Sequence, residues 1–502
     1  MADIIINADA HDHAHDDHHV VDPGPARYVF SGTLRTVLLG GTVLGLICLA
    51  LSFFVDPVDV ANGSHFHSRF WSNWLHNSVF FMGVAFMSLF LLAAKVLMYS
   101  GWHTVFKRVW EAYAQFLPVA LILFVPIVAG VWLHWHHLYH WGDESALLTD
   151  DLLAQKSAFL NPIWYTAAAL GIVAIWYFVF AIPLRRLSIE EDERGTDAYG
   201  QHRRMRKVAG IFLPIAAFSS AAVIWLMVMS VDAHWYSTLF AWYATASWLV
   251  AAVGLTIVVL IFLKTLGYYG EVTAEHLHDL GKYMFAFSIF WTYLWFSQFM
   301  LIWYGNVGEE TVYFQTRRDE FPVLFWANLV LNFVLPFFIL MANTTKRKYG
   351  PLAFVAIMVV FGHWLDYFQM LKPGILETTV EAAHHAHGDD HSDSTLAIEE
   401  GVTQHTGLTD SEYTGSAAIS GTYGTTGADG VEDDAEYLES EAGGGEHDSH
   451  FYAGFTIPGL IEIGTFLGFL SLFFLVTLTA LTKANLVARR DPYLEESLHH
   501  HV

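Results

Sequence analysis

Cysteine is almost absent from this chain, since Cys48 is the only one among 502 residues. A single thiol cannot form an intrachain disulfide, and it cannot supply the thiolates of an iron–sulfur cluster or the C-x-x-C-H motif that attaches haem c. Charge is also sparse: Asp, Glu, Lys and Arg make up 15% of the residues, whereas 54% are hydrophobic. The composition excludes a thiolate-bound redox centre and is typical of a membrane protein rather than a soluble one.

Ten long stretches of the chain are uncharged or carry a single acid. A helix of about 20 apolar residues crosses the hydrocarbon layer of a membrane, and it satisfies its own backbone hydrogen bonds there. We number the predicted spans 1 to 10 in chain order: 36–55, 77–94, 112–133, 157–184, 208–231, 235–263, 283–308, 321–345, 352–371 and 456–480. The sequence therefore predicts an all-α polytopic membrane protein with ten transmembrane helices.

Basic residues are concentrated in alternate gaps between these spans. One set of gaps, which includes both chain ends, holds 19 of the 25 Lys and Arg residues, and Lys95 lies at the edge of span 2. The intervening gaps hold the remaining five: Arg69, Lys156, Arg317, Arg318 and Lys372. Because cytoplasmic loops are enriched in Lys and Arg, this distribution predicts that both termini are cytoplasmic.

The net charge of −24 is mostly local. Residues 373–455 contain 18 acids and no Lys or Arg, and residues 1–33 form a tail rich in His and Asp. Neither segment has the basic character of a nucleic-acid binder. The predicted organisation is a cytoplasmic tail at 1–33, spans 1–9 at 34–372, an acidic outer loop at 373–455, span 10 at 456–482 and a cytoplasmic tail at 483–502, with phospholipids around the spans.

Ionisable side chains in or beside the spans are candidates for function, because a bilayer makes them costly. Asp232 and His234 lie between spans 5 and 6, and Glu462 lies at the start of span 10. His363 and Asp366 are three residues apart and share a face of span 9, with Asp366 expected about 7 Å from the outer end, in the outer leaflet. A carboxylate beside an imidazole can relay a proton from a quinol, or it can simply hold two helices together.

Uncharged polar side chains mark the centres of several spans. Span 7 contains Tyr293, Ser297 and Gln298. Other spans contribute hydroxyl and amide groups: Ser219, Ser220, Thr245, Ser247, Asn328 and Asn332. Such groups can support a chain of waters that conducts protons, or they can be packing contacts between membrane helices. We retain the three span 7 residues as proton-conducting candidates.

Histidine is abundant at the outer end of span 3. Four residues there have a spacing that permits a metal site: His134, His136, His137 and His140. Trp132, Trp135, Tyr139 and Trp141 interleave them, however, and this pattern favours an interfacial aromatic belt. The central thirds of the spans contain no opposed His pair for haem b. We therefore predict no catalytic residue, no metal site and no redox cofactor in this chain.

Two stretches resemble the signatures of a known family. Residues 230–243, SVDAHWYSTLFAWY, and 296–311, FSQFMLIWYGNVGEET, resemble the large quinol-site subunits of bacterial Alternative Complex III. Those subunits belong to the NrfD-like, polysulfide-reductase group of membrane subunits. Ten spans, a cytoplasmic N-terminus and a long outer loop between spans 9 and 10 look most like the F subunit of that complex. The likeness covers nearly all of the spans.

The resemblance implies two four-helix bundles, spans 2–5 and 6–9, flanked by spans 1 and 10. It implies a subunit of an inner-membrane quinol:electron-acceptor oxidoreductase, with cytochrome c as one possible periplasmic acceptor. The implied partners are a quinol-binding membrane subunit, a multihaem cytochrome c and an iron–sulfur subunit, which would bind the quinol or menaquinol, haem c and iron–sulfur clusters. Asp232 and His234 match the family's acid-x-His pair, and F subunits have been proposed to help conduct protons.

Two other functions stay open. The chain could be an ion-coupled secondary transporter, a class that commonly has interrupted helices or charges near the midplane. Its prolines in spans 3, 5 and 8 do not recur in matching positions, which disfavours that class. It could also be a pure assembly scaffold, which differs from the oxidoreductase subunit described above only in conducting no protons.

Overall fold

The prediction of an all-α polytopic membrane protein is confirmed. The computed structural model describes residues 26–143, 147–148, 150–194, 198–399 and 451–500, so most of the predicted N-terminal tail and acidic loop lies outside the described residues. Within the described ranges, ten helices are long and apolar enough to cross a membrane. The same ranges contain no β-strand, only two isolated β-bridges.

The spans as the structure has them overlap all ten predicted stretches. In chain order they are Gly32–Ala61, Ser68–Leu97, Lys107–Leu133, Pro162–Glu193, Tyr199–Val231, Thr238–Thr265, Ala274–Gly305, Pro322–Met341, Tyr349–Ala383 and Leu460–Leu481. The short helices between and after them include Asp151–Lys156, Gly308–Asp319, Asn343–Arg347 and Leu494–Leu498.

Local sequence explains where several helices begin. Asn161 precedes span 4, and its side chain accepts hydrogen bonds from the backbone of Ile163 at 3.1 Å and Trp164 at 3.0 Å. Pro162 follows at the first helical position, where its missing N–H has no helical partner to lose. Span 3 ends at His134, which adopts a left-handed conformation with φ of 53°.

Spans 2–5 and spans 6–9 pack as two four-helix groups, as the resemblance implies, and spans 2, 6 and 9 join the groups. The central position of spans 2 and 6 is clear from burial: 89% and 83% of their most apolar windows are buried, against 17% for span 1. Gly83 of span 2 lies directly against the indole of Trp248 in span 6, where a Cβ atom would overlap the ring. The two groups therefore meet at a close backbone approach.

Spans 1 and 10 form a separate pair that packs mainly against spans 2 and 3, and Phe466 of span 10 also contacts Trp364 of span 9. Gly45 of span 1 meets Gly468 of span 10 so closely that a Cβ on either residue would overlap the other backbone. Gly41 and Gly464 lie one helical turn away and face Ser471 and Cys48, respectively. These small residues recur at four-residue spacing on both helices, which is a general way for membrane helices to approach closely.

Span 9 continues beyond its predicted end. The helix runs from Tyr349 to Glu399 with Pro373 inside it. The predicted apolar stretch stopped at residue 371, before the charged Lys372. The helix instead continues through Pro373, although proline lacks an N–H and usually ends a helix. The first part of the predicted outer loop is therefore helical, and Asp366 lies at the midpoint of Tyr349–Ala383 rather than near its outer end.

Two spans contain π-helical segments. Span 4 contains Ala167–Ile172 and Ile175–Ala181, and span 8 contains Val330–Val334. Each of these spans is the third helix of its four-helix group. The helices continue through the π segments without a break, so spans 4 and 8 are each one continuous helix.

Both described ends of the chain lie at one end of the bundle. The backbone N–H of Leu486 donates to the carbonyl of Ala26 at 2.9 Å, and Arg27 Nε donates to Asn485 Oδ1 at 3.2 Å. We call this the inner end and the opposite one the outer end. An even number of spans follows from this arrangement.

Candidate functional site

The second four-helix group has a buried carboxylate at its centre. Asp366 Oδ1 accepts hydrogen bonds from the Tyr243 hydroxyl and from Asn328 Nδ2, the latter at 2.7 Å. Asp366 Oδ2 accepts a hydrogen bond from the Trp291 indole at 2.9 Å. The three donors come from spans 6, 7 and 8, so the carboxylate connects all four helices of the group.

Further amides extend this cluster along spans 8 and 9. Asn328 Nδ2 also donates to Gln369 Oε1 at 3.0 Å, and Asn332 Nδ2 donates to Asn328 Oδ1 at 2.5 Å. Asn332 Nδ2 also donates to the carbonyl of Gly362 at 2.9 Å. Gly362 permits this approach, because a Cβ atom there would overlap the Asn332 side chain.

Asn332 lies in the π-helical segment Val330–Val334 of span 8. Such segments are often found at functional sites, because the extra residue in the turn redirects side chains. Here the segment accompanies two asparagines, four residues apart, that both face span 9. From the sequence these asparagines could line a chain of waters or pack helices together, and the structure adds that Asn328 contacts an acid and Asn332 contacts Asn328.

His363 is buried beside Asp366 but does not form a direct pair with it. Its Nδ1 atom lies 4.0 Å from Asp366 Oδ2, which is too long for a hydrogen bond, and it shares a 3.0 Å hydrogen bond with Ser247 Oγ instead. Its Nε2 atom is buried and has no hydrogen-bonding partner in the described part of the chain. The cluster thus contains a second titratable group with one ring nitrogen available.

This cluster unites two sets of side chains that the sequence alone left separate. Asp366 and His363 were ionisable candidates on span 9, with Asp366 expected in the outer leaflet. Ser247, Asn328 and Asn332 belonged to the uncharged polar groups at the centres of other spans. The structure joins the two sets by hydrogen bonds into one site.

A small cavity lies on the outer side of the cluster. It has a volume of about 10 Å³ and is lined by polar and aromatic groups that include Tyr243, Gln298, Tyr313, Arg317 and Gln369. A cavity of roughly 10–15 Å³ by this measure can hold one water. Gln298 Nε2 is buried without a hydrogen-bonding partner among the described residues, so a polar group suited to bind water faces this region.

Asp232 pairs with Arg317 on the far side of that cavity. Arg317 NH2 donates to Asp232 Oδ2 at 2.9 Å, and the guanidinium lies 3.5 Å from the centre of the Tyr313 ring. Burial raises the pKa of the Asp232 carboxyl above its usual range, and the Arg317 guanidinium opposes that shift. Gly374 of span 9 lies against the carboxylate, with a Cβ position only 2.7 Å from Oδ1.

The predicted pair of Asp232 and His234 is split by the structure. Asp232 is directed toward Arg317, whereas His234 is exposed and its Nε2 atom contacts Asp150 Oδ2. The two residues are separated by one position in an irregular turn after Val231, so their side chains leave on opposite sides. The sequence motif therefore does not form a carboxylate–imidazole relay within itself.

Glu462 is buried in a second ionic cluster at the outer end. Arg69 binds it with two hydrogen bonds, Nε to Oε1 at 2.8 Å and NH2 to Oε2 at 3.0 Å, and Asn73 Nδ2 donates to Oε1 at 3.1 Å. Lys372 Nζ donates to Ser72 Oγ at 2.6 Å and Asn73 Oδ1 at 2.8 Å. The cluster ties spans 2, 9 and 10 together, and its geometry is that of a structural ion pair.

The three span 7 candidates have different surroundings. Gln298 is buried at the small cavity, Ser297 is half-buried, and Tyr293 is 63% exposed on the outside of the helix group. Of the three, the structure brings only Gln298 to the Asp366 cluster. The helical period explains this, because Tyr293 and Gln298 are five residues apart and face different directions.

A larger cavity lies between the two helix groups. Its volume is about 190 Å³, and spans 2, 5, 6 and 7 line it with mostly apolar side chains that include Phe86, Ala217, Trp242 and Phe290. No ionisable side chain is among the described residues that line it. It therefore contributes no group that could exchange a proton.

The inner end carries an ionic network that the sequence analysis did not identify. Lys107 Nζ donates to Glu191 Oε2 at 3.1 Å and to Asp491, which ties spans 3 and 4 to the C-terminal segment. Arg108 NH1 donates to Glu111 Oε2 at 2.7 Å in the same region. The sequence shows these residues only as charges beside the spans, and their burial is a product of tertiary packing.

The chain matches no known protein-family model, and no curated protein sequence matches it. The two motifs at 230–243 and 296–311 therefore remain a resemblance.

Proposed function

We propose that this chain is a membrane subunit of a bacterial respiratory quinol:electron-acceptor oxidoreductase, related to the F subunit of Alternative Complex III. In this proposal it scaffolds the quinol-binding membrane subunit and conducts protons through the outer half of its second helix group. The observation that carries the proposal is the buried carboxylate of Asp366, from which polar groups lead toward the outer end. It carries no redox cofactor of its own.

The proton route has three parts. Asp366 receives and releases the proton, since a carboxylate can act as a general acid and base. The Tyr243 hydroxyl donates to Asp366 and lines the small cavity, where one water, held by Gln369 and Gln298, would take up the proton. Asp232, paired with Arg317 beyond the cavity, passes the proton to the outer side.

The two motifs that carry the resemblance meet at this route. Tyr243 belongs to the first motif and donates to Asp366, and Gln298 belongs to the second and lines the cavity. Trp235 of the first motif stacks on Tyr313, with ring centres 3.9 Å apart and planes at 14°. Residues of both motifs therefore contribute to one site, and this shared location gives a physical reason for their residue types.

Charge supports the proposed orientation, and the resemblance supports the proposed bacterial inner membrane and partners. The inner end holds both described ends of the chain and most of the described basic residues, which supports a cytoplasmic inner end. Electrons would pass from quinol or menaquinol, bound in the partner membrane subunit, to iron–sulfur clusters and haem c in other subunits. This chain would provide the helix surface on which the quinol-binding subunit packs, and it would conduct protons.

Membership in the complex is tested by purification from native membranes in a mild detergent, followed by a haem stain. We expect polypeptides with covalent haem c to co-purify with this chain in constant ratio. A lone, monodisperse chain without haem polypeptides would contradict the proposal.

Proton conduction is tested separately in the complex reconstituted in vesicles. We expect Asp366→Asn to slow proton release per electron while the complex still assembles. Asp319→Asn is the matched control, because Asp319 is exposed at the outer end and its ion pair is with its exposed neighbour Arg318. A proton-to-electron ratio that is the same in wild type, variant and control would remove the proton role and leave the scaffold role.

One observation favours the alternative of an ion-coupled secondary transporter. The π-helical segments lie in span 4 and span 8, the corresponding third helices of the two groups, and interrupted helices in matching positions are a feature of transporters. Against it, both helices continue through the π segments and are not broken. The haem-stain experiment separates the two functions, since a transporter would purify alone.

A further inference from the structure

Three side chains from three separate segments meet at the outer end of the first helix group. His140 lies in a short 3-10 helix after span 3, Asp150 precedes helix Asp151–Lys156, and His234 lies in the turn between spans 5 and 6. One nitrogen or oxygen of each lies within 4.8 Å of those of the other two. The rings of His140 and His234 are 5.7 Å apart.

The carboxylate is held in place by its own backbone. Asp150 Oδ1 accepts hydrogen bonds from the backbone N–H groups of Leu152 at 2.9 Å and Leu153 at 3.0 Å. This is a helix N-cap, and it occupies one carboxylate oxygen. Oδ2 is the atom directed to His234, so one oxygen is positioned toward the imidazoles.

The histidines are also held by neighbouring contacts. Lys156 Nζ donates to the carbonyl oxygens of Ala233 at 2.8 Å and His234 at 2.7 Å, which fixes the turn that bears His234. Tyr139, adjacent to His140, is buried and donates to the Met227 carbonyl at 2.9 Å. Because the ligand-bearing segments are anchored, an ion bound there would lose little of its binding energy to ordering them.

Two imidazoles and one carboxylate are a donor set that zinc and similar ions prefer. Three protein ligands leave one tetrahedral position for water, and the 53% exposed side chain of His234 leaves that position accessible. We propose that His140, Asp150 and His234 form a site for a divalent transition-metal ion, with zinc the closest match, that clamps the span 3–4 loop to the span 5–6 turn. This proposal does not depend on the proposed function.

A second set of potential ligands provides a contrast. Glu191, His202 and Asp491 lie equally close together at the inner end and are buried. There, however, the ammonium of Lys107 already contacts both carboxylates, so a cation occupies the position between them. At the outer site the ammonium of Lys156 donates instead to the backbone carbonyls of Ala233 and His234.

The test measures metal binding by the purified full-length chain. Each protein is treated with a chelator, dialysed against zinc and assayed for bound zinc per chain, and cobalt is used in parallel because a tetrahedral site gives it visible absorption bands. All variants keep the histidines of both chain ends, so their contribution is the same throughout. We expect His140→Ala and His234→Ala each to lose one bound ion per chain and the cobalt bands.

Two further variants make the result decisive. Asp150→Asn retains an oxygen that can cap the helix but removes the anionic ligand, so it should bind metal at least tenfold more weakly while its unfolding temperature without metal stays close to that of wild type. His134→Ala is the matched control, because His134 is exposed nearby but does not belong to the set. Equal binding by wild type and His234→Ala, or an equal loss in His134→Ala, would overturn the proposal.

Discussion

Asn328 of span 8 donates a 2.7 Å hydrogen bond to the carboxylate of Asp366 on span 9. Both residues are fully enclosed, with 1% and 0% of their surfaces exposed. A buried carboxylate is tolerated only where hydrogen bonds replace its lost water, and Asn328 supplies one of three. This contact links the asparagine pair of span 8 to the one acid at the centre of the second helix group.

The first prediction concerns the donors around Asp366. Asp366→Asn keeps the side-chain shape but replaces one accepting oxygen with an N–H group that donates. At least one of Tyr243, Trp291 and Asn328 then faces a donor, which should cost about 1–3 kcal/mol of stability. Denaturant unfolding in detergent micelles measures this loss. The exposed Asp319→Asn control should change stability by less than about 0.5 kcal/mol, and an equal effect of the two substitutions would contradict the geometry.

The second prediction concerns the packing of spans 1 and 10. Gly45→Leu places a side chain where the backbone of Gly468 lies, so the two helices must separate. The single cysteine, Cys48, faces Gly464 in the same interface and serves as a reporter. We expect faster reaction of Cys48 with a membrane-permeant maleimide in the variant.

Gly40→Leu is the matched control for that experiment. A Cβ at Gly40 meets nothing within 4 Å, so Cys48 should react there at the wild-type rate. If Gly45→Leu left the reaction rate unchanged, the close approach of spans 1 and 10 would be refuted.

The third prediction concerns Glu462, which we interpret as structural rather than proton-conducting. Glu462→Gln removes the partner of Arg69 and leaves Arg69 and Lys372 as buried cations, so we expect a loss of about 3–5 kcal/mol. Unfolding measurements should show that the double substitution Arg69→Gln, Glu462→Gln is less damaging than the two single losses combined. Glu190→Gln, which breaks an exposed pair with Arg186, should have almost no effect, and a comparable loss there would argue against the buried pair.

The fourth prediction concerns pH. His103 is buried at the inner end, stacked on Trp110 with ring centres 5.6 Å apart. Burial lowers the pKa of His103 to about 3; the Asp491 carboxylate opposes this shift, and the Lys107 ammonium adds to it. In the unfolded chain His103 binds a proton near its ordinary pKa of 6.5, whereas in the folded chain it stays neutral there. The free energy of unfolding therefore falls by about 1.4 kcal/mol for each pH unit below 6.5.

The stability that the neutral, buried His103 contributes is fully present above pH 6.5 and declines as the pH falls toward 3. His103→Phe keeps an aromatic ring against Trp110 and removes the titration. We expect the variant to lose less stability than wild type between pH 7 and pH 5, measured by denaturant unfolding at each pH. The exposed His134→Phe should follow the wild-type curve, and identical curves for all three proteins would refute the assignment.

The ten spans and their alternating direction across the membrane could be predicted from the sequence. The length of an apolar stretch and the number of basic residues beside it are local properties of the chain. The end of span 9 could not be predicted, since Pro373 is accommodated inside a continuing helix. The close packing of spans 1 and 10 has a signal in the sequence, glycines at four-residue spacing in both helices.

The candidate site was predicted in its residues but not in its contacts. Asp366, His363, Asn328 and Gln298 were each recognised as polar groups within apolar stretches. Their union into one cluster depends on the rotation of four helices about their axes, which apolar composition does not specify. For the same reason Asp232 and His234, two positions apart in the chain, have different partners.

Composition alone determined that this protein is a set of membrane-crossing helices, because only a helix can place such long apolar stretches in lipid with its backbone satisfied. The tertiary structure alone decided which polar side chains share an environment, because residues distant in sequence become neighbours only when helices pack. Asp366 and Asn328 became one site in this way, and so did His140, Asp150 and His234.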